Sequence, residues 1–218
     1  MGRLLIFILT ISFCKMASAN LDYKVNCLKE LGASKGVACE DVDSRESYSA
    51  VLFCAKELDA EGAIACKGIK NSSQVGMVVS CVKNISSKYA ILCQGIESPL
   101  TGAAVSYCAK NLKPEQLVAC WGVKSQREAA SVVSCAKYVK QEQAIACLGV
   151  KDQNQQSAVV NCVKAVKPNM YKACYGVKTN ADSSKAVFCT KNLDSTLLSN
   201  CSSLENDLKT LDLQALRK

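Results

Sequence analysis

The chain has no histidine, one tryptophan and three prolines in 218 residues. The lack of histidine removes the commonest general base and the commonest metal ligand at physiological pH. No Cys-x-x-Cys pair occurs, so the close ligand spacing of a zinc site is missing as well. All eleven glycines stand singly, which leaves no glycine-rich loop to cradle a phosphate. These absences predict neither a metal nor a cofactor. Beyond residue 20 no segment approaches the ~18 uninterrupted apolar residues of a membrane-spanning helix. Acidic residues are scarce in the middle of the chain. Residues 66–192 hold 17 Lys and Arg against six acids, Glu97, Glu115, Glu128, Glu142, Asp152 and Asp182. Carboxylate-based catalysis is therefore the weakest of three functional readings.

Cysteine, by contrast, is abundant, at fifteen. Fourteen of them follow strictly alternating intervals of 12 and 15 residues: Cys27, Cys39, Cys54, Cys66, Cys81, Cys93, Cys108, Cys120, Cys135, Cys147, Cys162, Cys174, Cys189 and Cys201. The chain is thus seven copies of a 27-residue unit, and a fixed period of that size marks a stacked repeat array. The fifteenth cysteine, Cys14, falls in a stretch that reads as a secretory signal peptide, residues 1–19. Arg3 supplies the positive start, Leu4 to Phe13 the apolar core, and Ala17, Ser18 and Ala19 the cleavage site. Residues 20–218 read as one repeat domain. An exported chain with an even cysteine count implies a disulfide framework, and a secreted or periplasmic location.

Counting the first cysteine of each unit as position 1, apolar residues around it recur at helical spacing, as in Val159, Cys162, Val163 and Val166. A second helix is expected from about position 7. Asp59, Ser86 and Asp194 at position 6 are good N-caps, and Pro114 and Pro168 suit a first helical turn. It should end before position 15, which is glycine in five units with an apolar residue behind it. Polar stretches such as Asp152, Gln153, Asn154, Gln155 and Gln156 read as loops. Each unit is then a hairpin of two helices of roughly eight to twelve residues, too short to be stable alone in water. Folding about the short turn brings the cysteines 12 apart closer than those 15 apart, and pairing across 12 uses all fourteen. The expected bridges run from Cys27–Cys39 and Cys54–Cys66 through to Cys189–Cys201. Ser202, Leu204, Glu205, Leu208 and Leu211 suggest a capping helix over residues 202–218. The expected fold class is all-α, an α-solenoid of seven 27-residue disulfide-stapled helical hairpins.

Two surface features are candidates for binding. Position 3 is lysine in every unit (Lys29, Lys56, Lys83, Lys110, Lys137, Lys164 and Lys191), and stacking would align these into a ridge. A lysine in the last turn of a helix also suits the helix dipole. Position 14 is polar in Glu40, Lys67, Gln94 and Ser202, which reads as exposure, yet becomes Trp121, Leu148 and Tyr175 in three successive units. Three residues on, the same units carry Lys124, Lys151 and Lys178. The expected function is a monomeric, non-catalytic, exported binding scaffold that presents this apolar and basic strip to a protein or glycan partner. The alternative is binding of an anionic polymer, whether lipopolysaccharide, acidic glycan or nucleic acid, along the ridge at Lys83, Lys110, Lys137 and Lys164.

Overall fold

The computed structural model describes residues 21–192, among which every regular element is helical. Seven longer helices alternate with six short ones. The longer set is α1 (residues 21–35), α2 (Arg45–Lys56), α3 (Ser72–Ile85), α4 (Pro99–Lys110), α5 (Gln126–Tyr138), α6 (Gln153–Ala165) and α7 (Asn180–Asn192). The short helices, all of 3₁₀ type, are Gly36–Cys39, Gly62–Cys66, Ser87–Cys93, Pro114–Cys120, Gln141–Cys147 and Pro168–Cys174. The chain falls into two compact units, residues 1–99 and 100–218, and the 27-residue repeat runs through both. The fold class is an all-α helical repeat of the solenoid kind, with a disulfide in each unit.

The polar stretches expected to be loops instead open the long helices. Asp152 caps α6 by accepting from the Gln155 N–H at 2.9 Å, and Gln153 to Gln156 form the first turn. Ser125 caps α5 in the same way, accepting from the Glu128 N–H at 3.3 Å. In return, the side chain at N3 reaches back to the backbone before the cap. Gln74 accepts from the Lys70 N–H at 2.7 Å, Glu128 from Lys124 at 2.8 Å and Gln155 from Lys151 at 3.1 Å. At α5 and α6 the box is reciprocal and satisfies donors that a helix start leaves open, whereas Asn71 at the start of α3 makes no side-chain cap bond. The long helices are therefore 12 to 14 residues in α2 to α7, longer than the apolar periodicity alone indicates.

The second helix of each unit departs from expectation in type. In four of the six it begins where proposed, with Pro114 and Pro168 in the first turn, while Gly36–Cys39 and Gly62–Cys66 begin two or three residues later; Asp59 accepts from the Gly62 N–H at 2.7 Å. Ser86 makes no such side-chain cap bond. It also ends where proposed, at a left-handed glycine such as Gly149, φ +76°. Between those limits it winds with a three-residue period, which puts positions 10 and 13 on one edge. Leu117 and Cys120, and Ala144 and Cys147, are buried together in this way. The long helices bury their own stripe, with Val132, Cys135, Val159 and Cys162 fully covered.

Six disulfides join cysteines 12 apart: Cys27–Cys39, Cys54–Cys66, Cys81–Cys93, Cys108–Cys120, Cys135–Cys147 and Cys162–Cys174. Their Cα atoms lie 5.7–5.9 Å apart. The seventh expected bridge, Cys189–Cys201, needs Cys201, which lies outside the described residues, as do the signal segment and the C-terminal capping segment. Successive repeats are tied by side chain to backbone bonds. In the first unit Lys35 donates to the Ala55 carbonyl at 2.7 Å, and in the second Gln116 donates to that of Ala136 at 2.7 Å. Among the described residues no helix is long and apolar enough to cross a membrane.

Candidate functional site

The repeat step decides which side chains become neighbours. In the first unit, lysine at position 3 meets position 4 of the repeat before it: Lys56 lies 3.3 Å from Glu30, and Lys83 lies 3.3 Å from Glu57. Position 14 meets position 14, as Lys67 pairs with Glu40. Position 17 meets position 17, with Lys70 3.1 Å from Asp43. Three charge columns thus run across the repeats, each closed by an acid in one repeat and a lysine in the next.

Two of these acids, Glu30 and Asp43, are held in the charged form. The Tyr48 hydroxyl, which donates to Glu30 at 2.5 Å, lowers the Glu30 pKa, and the Lys56 bond lowers it further. Lys70 is the main cause of a lowered pKa at Asp43.

Among the described residues all four ion pairs lie in the first unit. The second unit keeps the columns and changes their occupants. Position 4 becomes Asn111, Tyr138 and Ala165, so the acid that a position-3 lysine would meet is missing. The same step is visible where Lys164 Nζ sits 5.6 Å from the centroid of the Tyr138 ring. Position 17 becomes Lys124, Lys151 and Lys178 in succession, and position 14 becomes Trp121, Leu148 and Tyr175. All the candidate lysines, Lys83, Lys110, Lys124, Lys137, Lys151, Lys164 and Lys178, are exposed. Of these, Lys83 alone is ion-paired among the described residues.

Exposure is less uniform along position 14. Leu148 is only 6% exposed, while Trp121 and Tyr175 are half-buried. Polar residues elsewhere in this column suggest an open site. The structure shows instead that exposure varies along the column, with Leu148 buried and the two aromatics on either side of it partly open. The apolar part of the strip is therefore the two rings.

Three of the acids in the second unit are engaged at helix starts. Glu128 and Asp152 bond backbone N–H groups as described. Asp182 accepts from the Thr179 hydroxyl at 2.9 Å, and that bond is the first cause of its lowered pKa. One basic column escapes a reading of position 6 as a capping site. It holds Lys113, Lys140 and Lys167 in three successive units, and all are exposed. The signal was present in the sequence, but capping chemistry directs attention to Asp59 and Ser86 at the same position. In the first unit α2 and α3 border an open concavity of about 700 Å³, lined by Ala50, Phe53, Val75 and Gly76, with Arg45 and Glu46 also on its wall.

No family model, curated protein or solved structure matches this chain.

Proposed function

We propose that the protein is an exported, monomeric, non-catalytic repeat scaffold whose second unit binds an acidic protein or glycan partner. The observation that carries this reading is the division of charge pairing. Residues 21–99 hold nine basic and ten acidic side chains, and their columns are closed by ion pairs. Residues 100–192 hold thirteen basic and five acidic side chains, a net of +8. A one-signed surface of that kind raises the local concentration of an oppositely charged partner and speeds its docking. Trp121 and Tyr175 beside Lys124, Lys151 and Lys178 add aromatic anchors, the residue types that dominate binding energy at interfaces. The cysteines serve as staples and three second-unit acids serve as helix caps, which supports a binding role over a catalytic one. Six disulfides suit an oxidising compartment outside the cytosol.

The test is retention of the chain lacking residues 1–19 on immobilised polyglutamate and heparin at increasing salt. Salt-sensitive retention on at least one matrix is expected, and W121A/Y175A should weaken retention on polyglutamate about tenfold, the loss of a single strong anchor. No retention on either matrix at low salt would defeat the reading.

A further inference from the structure

The strip at positions 14 and 17 lies at the N-terminal end of the long helices, while a second group of lysines lies at the other end. In α5 the two are separated by the length of the helix, about 20 Å. This second group is made of pairs three residues apart: Lys110 and Lys113, Lys137 and Lys140, Lys164 and Lys167. The first of each pair ends or nearly ends a long helix, and the second directly precedes a short one. All six are exposed. From α5 onward the neighbouring position 4 is neutral, and among the described residues no ion pair closes any of the six. The acids at this corner are Glu115 and Glu142, each two residues past a lysine. The cations outnumber them three to one.

The geometry points to a binding track for a linear acidic polysaccharide at this corner, running from repeat to repeat across the second unit. It rests on the polyanion reading above but assigns the ligand class and a different surface. Packed helices repeat about every 10 Å, so two lysines per repeat offer on average one cation per ~5 Å of track. Along the axis of a nucleic-acid duplex each strand carries a phosphate every ~3.4 Å, which is denser than the track. A sugar chain with at most one acidic group on each ring is less dense and fits it better. Aromatic placement argues the same way. Exposed rings occur at Tyr107 on α4, Tyr138 on α5 and Phe188 on α7, with Asn161 and Ala165 at the matching places on α6. Binding of single-stranded nucleic acid relies on successive stacking platforms, and here the succession is broken. The interval suits occasional contact between a ring and the C–H face of a sugar. A disulfide-stapled protein also belongs to the compartment in which acidic surface glycans are met.

The experiment uses the chain lacking residues 1–19, an oligogalacturonate with one carboxylate on each ring and a single-stranded DNA of equal charge. Affinities are measured by fluorescence anisotropy over a salt series. The variant K113Q/K140Q/K167Q alters the corner, and K124Q/K151Q/K178Q alters the strip. The expected result is at least tenfold weaker oligosaccharide binding for the corner variant, with a log–log salt slope shallower by about two to three. The strip variant should change oligosaccharide affinity less than threefold, and DNA should bind more weakly than the oligosaccharide. Each altered lysine is exposed, so circular dichroism and melting of both variants should match the parent. If only the strip variant loses affinity, the corner assignment is overturned while the binding function stands. If DNA binds as tightly as the oligosaccharide, the ligand class is overturned. If the parent binds neither probe, the corner proposal falls, and the binding function then stands or falls with retention on polyglutamate.

Discussion

Glu30 and Glu57 occupy the repeat position that Asn111 and Ala165 occupy later, and this one side chain decides whether the next lysine is paired. The Glu30 carboxyl is held below its ordinary value of 4.5 by Tyr48 and Lys56, and Asp43 below 3.8 by Lys70. A depressed carboxylate contributes stability that is complete above its unfolded pKa and is lost as pH falls through the folded value. The melting temperature should thus hold from pH 7 to about pH 5 and fall progressively below 4.5, with E30Q/D43N flattening the part due to these groups. A melting curve that already falls between pH 7 and 5 would contradict the assignment. At Gly149 the backbone lies at φ +76° and an added Cβ meets nothing within 4 Å, so any cost of Gly149→Ala is conformational. We expect about 1–2 kcal/mol of lost stability by urea unfolding.

At the scale of the element, each repeat joins a capped α-helix to a 3₁₀ helix and staples the two. Removing one staple with C135A/C147A should cost about 3 kcal/mol. Repeat arrays couple mainly to their neighbours, so hydrogen exchange should quicken first in α5 and Gln141–Cys147. Uniform quickening over all described helices would contradict a local role. The ends of the short helices were legible in the sequence because proline, aspartate and glycine act through the backbone of their own residues. The type of helix between them was not, since seven residues with alanine and cysteine at the buried places suit either winding. The starts of the long helices were hidden for another reason. Gln153, Asn154 and Gln156 face solvent or lie half-covered and add no apolar periodicity, and the cap at Asp152 resembles a turn signal until its Gln155 partner is seen.

For the whole molecule, charge differs between the two units more than backbone does. Added salt screens attraction in the first unit and repulsion in the second. Raising sodium chloride from 0.05 to 0.5 M should slow amide exchange in α5 to α7 and leave it unchanged or faster in α2 and α3. The same response in both units would mean that the lysine columns carry no net repulsion. The candidate strip was partly legible, because Trp121 and Tyr175 break a polar column and such breaks show in aligned repeats. Burial of Leu148 is not legible there, because the same column is polar in other repeats and half-buried at Trp121 and Tyr175. The column at Lys113, Lys140 and Lys167 was equally plain in composition, but it emerges as a site only once the helix ends are placed and the acids are found paired elsewhere.

The staples have a further consequence for how the chain acquires its covalent form. Every cysteine between the first and last has one partner candidate 12 residues away and a wrong one 15 residues away. Loop closure alone separates these by only about 0.2 kcal/mol. An unstructured chain therefore oxidises almost without preference, and one early error, such as Cys39–Cys54, leaves Cys27 and Cys66 to seek new partners. The selection comes from the turn between each α-helix and its 3₁₀ helix, which must form before the thiols react. Fidelity of oxidation is in that sense a copying problem solved six times over among the described residues by the same local template, with each repeat checking its own bond.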